Sequence, residues 1–165
     1  MKNLVIILSL FLLISVTDFS IPDIPAYSTD FSNPDTLVQM ERTVCYGTCP
    51  SYTLSILEDG KITFVGREFV AHQGEATGMM SQENLEDLRN RIQQSHFMEI
   101  AANPRCESRY TDHSSVYLTI QLDDKKHSVN HYQGCKGFQF EEDLYRLEEA
   151  IDSLSGTERW IEGEE

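Results

Sequence analysis

Hydrophobic and polar residues alternate with a period of two along several segments, which is the pattern of β-strands with one buried face. Residues 36–44 predict a first strand, and the segment SYTLSIL, residues 51–57, alternates next. Asp59 and Gly60 then predict a tight hairpin turn, because glycine accepts the positive φ that a type I′ turn demands. Residues 61–65 are the expected return strand.

A second hairpin is predicted in the later half of the chain. Residues 115–122 (SVYLTIQL) alternate, the polar run DDKK follows as a turn, and residues 127–132 (HSVNHY) form the partner strand. Gly66 marks a bulge or bend in the first hairpin, and residues 67–72 (REFVAH) can add a further strand after it. Such hairpins predict a mostly antiparallel sheet.

Two segments carry the period of an α-helix instead. Ser81 can cap the first helix, which is expected to end near Ser95 and to present one apolar stripe. The second helix is expected over residues 140–154, with Gly156 as its stop. Hairpins interrupted by two helices predict an α+β domain, in which both helices pack on one face of the mostly antiparallel sheet.

The N-terminal residues predict export from the cytoplasm. Residues 4–16 form an apolar run of thirteen, the length of a signal-peptide core and shorter than the ~20 residues of a spanning helix. We interpret residues 1–20 as a signal peptide, with an uncleaved membrane anchor as the alternative. Residues 21–35 are expected to be a flexible tether, followed by one domain over 36–161 and an acidic tail over 162–165. With the signal peptide removed, the mature protein is expected to be periplasmic or secreted. In the alternative, the protein contacts a membrane only through the uncleaved leader.

The net charge narrows the range of partners. The chain carries −14 at pH 7, and residues 138–165 hold ten acidic residues against only two arginines. Such a surface repels phosphate backbones and anionic membrane surfaces, so nucleic acid is not an expected partner. The acidic segment is interpreted as a solubilised helix face followed by the tail.

The four cysteines, Cys45, Cys49, Cys106 and Cys135, have three possible roles. A reactive dithiol needs a helix N-terminus to lower the thiol pKa, but here Pro50 and a strand follow the first pair. Zinc tolerates the C-x-x-x-C spacing, yet the other two cysteines do not form a second close-spaced pair. An even count in an oxidising compartment favours structural disulfides. No metal and no cofactor are expected.

Three residues are weak candidates for catalysis. Asp112 can orient His113 in the YTDHSS segment, and His131 lies on the predicted partner strand. His127 and His131 share a strand face but lie about 13 Å apart, too far to bind one metal ion. No nucleophile elbow, phosphate-binding loop or zinc-protease motif is present in the sequence.

Four tyrosines are weak candidates for binding: Tyr46, Tyr52, Tyr110 and Tyr132. The first two flank the early cysteine pair, and the third begins the YTDH turn. We expect an exported binding or structural module without catalysis, whose partner is an unknown protein or small molecule and whose contact surface holds the early cysteine loop and this turn. Packed core aromatics are the competing interpretation of the tyrosines. The alternative function is a small envelope enzyme that uses Asp112, His113 and His131.

The segment CYGTCPSY carries a resemblance to a known family. The chain resembles a bacterial domain-of-unknown-function family of envelope proteins and lipoproteins marked by a C-x-G-T-C-P-x-Y signature, over roughly residues 36–161. The resemblance is specific at Cys45, Gly47, Thr48, Cys49, Pro50 and Tyr52. It is softer at Asp59, Gly60, Gly66, Thr111, Asp112, Tyr132, Gly134, Asp152, Arg159 and Trp160. It implies a fold family and no activity.

Two departures from that family are visible, and they bear on the disulfides. The leader lacks a lipid-attachment cysteine, and Cys106 and Cys135 are additions to the family pattern. The signature therefore resembles a unit that recurs without the later cysteines, which favours pairing Cys45 with Cys49. Cys106 precedes the first strand of the second hairpin and Cys135 follows its partner, so these two are expected to meet at the open end of the hairpin.

Overall fold

A six-stranded antiparallel sheet forms the centre of the computed structural model, which describes residues 35–163. The strands are β1 (Thr36–Arg42), β2 (Ser51–Leu57), β3 (Lys61–Glu68), β4 (Gly74–Met79), β5 (Ser108–Arg109), β6 (Ser115–Leu122), β7 (Lys125–Tyr132) and β8 (Cys135–Lys136). The large sheet has the order β4-β3-β2-β1-β6-β7, and β5 pairs with β8 in a small second sheet. The predicted signal peptide, and the predicted tether apart from its last residue, lie outside the described residues.

Helices cover one face of the large sheet. They are α1 (Gln82–Gln94), α2 (Glu141–Ser155) and the short α3 (Glu158–Ile161). Ser81 caps α1 as predicted, since its hydroxyl accepts a hydrogen bond from the Asn84 backbone N–H at 3.1 Å. Gly156 ends α2. Within residues 35–163, no helix is both long and apolar enough to cross a bilayer.

The core lies between the sheet and the two longer helices. The strand residues that alternate inward are fully buried, among them Met40, Leu54, Ile56, Ile62, Phe64, Leu118 and Ile120. They form one cluster with the apolar stripes of the helices, which comprise Leu85, Leu88, Ile92, Leu144, Leu147 and Ile151. Full burial of each such side chain contributes about 1.5–3 kcal/mol. The predicted α+β class is confirmed.

The first hairpin turn differs from the predicted type I′ turn. A type I′ turn requires positive φ at two central residues, whereas only Gly60, at φ 88°, has it here. The Gly60 N–H donates to the Leu57 carbonyl at 2.9 Å, so the turn spans residues 57–60 and ends in a left-handed glycine. The loop is therefore one residue longer than predicted.

The further strand lies later in the chain than predicted. Residues 67 and 68 end β3, and residues 69–72 form no strand of their own. The N–H groups of Ala71 and His72 donate instead to the carbonyls of Ile161 and Trp160. The added strand is β4, whose sequence GEATGM shows no apolar alternation. A Cβ at its Gly78 would lie 3.2 Å from the Trp160 ring, so this glycine lets the C-terminal tryptophan approach the sheet.

Candidate functional site

A small disulfide ring lies between the end of β1 and the start of β2. Cys45 and Cys49 are bonded, with their Cα atoms 5.6 Å apart, and the Gly47 N–H donates to the Cys45 carbonyl at 2.9 Å. The ring side chain between them, Tyr46, is 90% exposed. A large aromatic side chain is therefore held away from the core by a closed loop of five residues.

Hydrogen bonds tie this ring to the turn before β6. The Tyr46 N–H donates to the Asp112 carbonyl at 3.1 Å, and Asp112 adopts the left-handed conformation with φ 70°. The Thr43 N–H donates to the Ser115 carbonyl, and the Ser115 N–H donates back to the Thr43 hydroxyl at 2.9 Å. We call residues 43–50 and 110–113 together the rim.

The predicted binding tyrosines divide between the rim and the interior. Tyr46 and Tyr110 are exposed on the rim. Tyr132 lies half-buried behind the rim, and its hydroxyl donates to the Tyr110 carbonyl at 2.7 Å. Tyr52 belongs to the core, because the alternation of β2 directs it inward with Leu54 and Ile56. It is not available as a contact residue on the rim surface.

The structure does not bring the three predicted catalytic residues together. Asp112 and His113 are exposed on the rim, where the His113 ring meets the edge of the Tyr132 ring. His131 is fully buried on the helix side of β7, between the rings of Phe138 and Tyr145. Neighbouring residues in a strand face opposite sides, which places His131 and the Tyr132–His113 contact on different faces of the sheet.

His131 instead forms a buried pair with Glu148 of α2. Its Nδ1–H donates to the Glu148 carboxylate at 2.8 Å, and the other carboxylate oxygen accepts from the Gln133 amide at 2.9 Å. Within residues 35–163, His131 Nε2 has no hydrogen-bond partner. Lys136 donates to the Tyr145 hydroxyl beside the pair, and this hydrogen bond raises the pKa of Lys136.

A second carboxylate of α2, Asp152, binds residues of β1 and β2. The Arg42 guanidinium donates to one carboxylate oxygen from two nitrogens, at 2.8 and 3.0 Å, and the Tyr52 hydroxyl donates to the other at 2.6 Å. Thr157 also donates to the second oxygen, at 3.2 Å. Both guanidinium bonds converge on one carboxylate oxygen and the phenol binds the other, so each oxygen of this partly buried carboxylate accepts a charge-assisted hydrogen bond.

The surroundings shift the pKa values of two members of this group. Burial lowers the pKa of Arg42, but the charges of Asp152, Tyr52 and Glu148 together with the hydrogen bond to Asp152 outweigh it, so the pKa of Arg42 is raised. Burial and then Asp152 raise the pKa of Tyr52 well above its ordinary range. Sequence analysis missed this group, although Arg42 shares the inward periodicity of Val38 and Met40, which is a readable signal of a charged residue facing the core.

The later cysteine pair closes the open end of the second hairpin. Cys106 and Cys135 are bonded, with their Cα atoms 5.0 Å apart, and Arg109 of β5 lies opposite Cys135 of β8. Both disulfides join the cysteines that the sequence analysis paired. Across the described part of the chain, no group of three or more His, Cys, Asp or Glu side chains is arranged to hold a metal ion.

Comparison with protein-family models identifies a family for this chain. A family model described as "Domain of unknown function (DUF6438)" matches residues 36–155, which run from the first residue of β1 to the last residue of α2. No curated protein matches the chain. The matched span contains both disulfides, the rim, Glu148 and Asp152.

Proposed function

The chain belongs to the DUF6438 family, a domain of unknown function, and we propose that it is an exported, disulfide-stapled binding module. In this proposal it contacts a partner protein through the rim. The observation that carries the proposal is the position of Tyr46, a 90% exposed aromatic residue on a closed ring. Tyrosine is among the residues that contribute most to protein interfaces.

The ring is better suited to holding a shape than to stabilising the fold. A disulfide that closes so few residues removes only about 2 kcal/mol of chain entropy, and a loop of roughly thirty residues removes between 3 and 4. What the small ring does is fix Tyr46 against the turn at Asp112, through a 3.1 Å backbone hydrogen bond. A preorganised loop loses less entropy on binding, which favours affinity.

Export is the second part of the proposal. The two disulfides are compatible with an oxidising, extracytoplasmic location. We propose that residues 1–20 direct export and are removed, that residues 21–35 tether residues 36–161, and that the protein works in a bacterial envelope or outside the cell. The C-x-G-T-C-P-x-Y segment, which builds the ring, is then the functional signature of the module.

Catalysis by the Asp112, His113 and His131 group has no support in the geometry. The imidazole of His131 is buried under α2, whereas Asp112 and His113 are exposed in the turn before β6, and they share no hydrogen bond with His131 among the described residues. A binding function needs an exposed surface that is held in place. A disulfide and backbone hydrogen bonds hold the rim, and Tyr46 and Tyr110 are exposed on it.

Site-specific photo-crosslinking in cells that naturally make the protein tests the proposal. A photoreactive residue replaces Tyr46, and a matched control replaces Met79, which is exposed on β4 away from the rim. We expect a discrete cross-linked protein from position 46 only, and its loss when Cys45 and Cys49 are both changed to Ser. Equal cross-linking from the two positions, or none from position 46, contradicts the proposal.

A further inference from the structure

A cleft runs along the face of the sheet that is turned away from the helices. Its floor holds Tyr117 of β6 and Asn130 of β7, which lie directly opposite each other. One end, of about 290 Å³, is bounded by Asn103 and Arg109, and the other, of about 440 Å³, reaches Glu41 of β1. Tyr117, Asn130 and Asn103 border both ends, so the two depressions form one continuous surface, which we call the outer cleft.

The wall of the outer cleft is fixed in place. Residues 103–109 form an arch beside β7, and the Cys106–Cys135 disulfide anchors its middle. The Asn130 N–H donates to the Ala102 carbonyl at 2.8 Å, which anchors the start of the arch, and the pairing of β5 with β8 anchors its end. A wall held at three points is preorganised, and this reduces the entropy lost when a ligand binds.

Arg109 gives the cleft a cation that lacks an acidic partner. Its guanidinium lies 4.4 Å from the centre of the Tyr132 ring, and no carboxylate of residues 35–163 forms an ion pair with it. Five other arginines pair with carboxylates, namely Arg42, Arg67, Arg89, Arg91 and Arg146, whereas Arg105 and Arg159, like Arg109, form no ion pair among the described residues. Stacking on tyrosine leaves the N–H edge of Arg109 free to bind a carboxylate in the bidentate mode.

The remaining groups of the cleft match the surface of a sugar. Tyr117 is 46% exposed and offers an aromatic platform for the C–H face of a pyranose ring. The Asn130 amide donates to the Asn103 amide oxygen at 3.4 Å, and the two amides keep further donors and acceptors for a ligand. The hydroxyls of Thr119 and Ser128, bonded to each other at 2.8 Å, continue the polar surface. A cleft of a few hundred Å³ with convergent polar groups is typical of a small-ligand site.

We propose that the outer cleft binds an oligosaccharide that carries a carboxylate, as uronic acids do. The carboxylate binds Arg109, and a neighbouring ring stacks on Tyr117 while its hydroxyls bond to the asparagine amides. The site uses other side chains than the rim, so it goes beyond the proposed protein contact and does not depend on it.

Calorimetric titration of the purified domain tests the inference. The probes are trigalacturonate, a glucuronate-containing tetrasaccharide, and trigalacturonate whose carboxylates are methyl-esterified. We expect saturable binding of at least one acidic probe and at least tenfold weaker binding of the ester. Arg109→Gln and Tyr117→Ala should each weaken binding about tenfold, and both side chains are exposed, so the thermal midpoint should remain near that of the unchanged domain.

Arg105→Gln is the matched control, because this arginine is exposed on the same arch but borders a different depression. We expect binding within twofold of the unchanged domain. Failure of both acidic probes, equal binding of the ester, or an equal loss in Arg105→Gln overturns the inference. If inorganic phosphate binds as tightly as the acidic probes at the same ionic strength, the inference is overturned as well, since the site would then recognise a free anion. None of these outcomes bears on cross-linking at Tyr46.

Discussion

Glu148 and Asp152 lie one turn apart on α2, and each joins the helix to the sheet, but with partners of different kinds. Asp152 binds Arg42, which is always charged, and the side chains of this pair are 16% and 19% exposed. Glu148 binds the His131 imidazole, and these side chains are only 1% and 0% exposed. The Asp152 pair therefore keeps contact with water, whereas the Glu148 pair is removed from it, and removing charges from water is costly.

The two groups also differ in how completely their polar atoms are paired. Both oxygens of Asp152 accept hydrogen bonds from side chains of the sheet or of the segment after α2. In the Glu148 group, His131 Nε2 has no partner among the described residues. An unpaired buried nitrogen costs about 1–3 kcal/mol. The comparison therefore assigns the larger stabilisation to the Asp152 group and a smaller net contribution to the deeper pair.

Removal of Asp152 should give the largest loss. Asp152→Ala leaves the Arg42 guanidinium and the Tyr52 hydroxyl without their shared acceptor, and we expect unfolding by denaturant to show a loss of about 3 kcal/mol. Both residues are shielded by the core, so water cannot fully replace the carboxylate. A loss below that of His131→Leu would break the comparison.

Removal of His131 should have a smaller effect. His131→Leu leaves the Glu148 carboxylate with only the hydrogen bond from the Gln133 amide, which destabilises the fold. The variant also removes the unpaired Nε2, which offsets part of this cost, so we expect a loss of about 2 kcal/mol in the free energy of unfolding. The double change of His131 and Glu148 to Leu and Met should cost less than the sum of the single changes. Additive losses would mean that the two side chains do not act as a pair.

Tyr52→Phe removes the hydrogen bond that the hydroxyl donates to Asp152 and the one that it accepts from Arg42, and should cost about 1–2 kcal/mol at neutral pH. The raised pKa of Tyr52 adds a pH dependence. The folded state holds the phenolic proton to higher pH than the unfolded state, so this contribution is complete below about pH 10 and is lost as the pH rises above it.

The measurement is the free energy of unfolding between pH 8 and 11 for the unchanged protein and for Tyr52→Phe. The unchanged protein should lose stability more steeply above pH 10, and the variant should lack this part of the slope. Parallel curves would mean that Tyr52 ionises in the folded protein as a free tyrosine does.

The smallest effect is expected at a surface ion pair. The Arg67 Nη1 and Glu41 Oε1 atoms lie 2.5 Å apart on the exposed side of the sheet, and the side chains of Glu41 and Arg67 are 33% and 37% exposed. Glu41→Gln should change the free energy of unfolding by less than about 1 kcal/mol, because water and salt screen the pair. A loss equal to that of Asp152→Ala would show that burial does not determine how much an ion pair contributes to the free energy of unfolding.

Most elements were predictable because they depend on residues that are close together in sequence. The alternation of residues 51–57 and 115–122 depends on which neighbours face the core, and Ser81 caps α1 through a bond to a residue three positions away. Cys45 and Cys49 are likewise neighbours, and the second disulfide follows from the hairpin that joins its cysteines. β4 was not predictable, because its strand character comes from pairing with β3 and from contact with Trp160.

The sequence by itself therefore determined the class of fold and the bounds of the long helices, since these depend on a local period or a cap. The cysteine pairs followed from one hairpin and from the resemblance to a family signature. Only the tertiary structure decided that Arg42 meets Asp152, 110 residues away, that His131 meets Glu148, and that Arg109 is left without a carboxylate. Ion pairs and clefts form where distant elements bring particular faces together. The local sequence does not specify these contacts. A charged residue has the same local pattern whether the fold places it beside a partner, in the core or at the edge of a cleft.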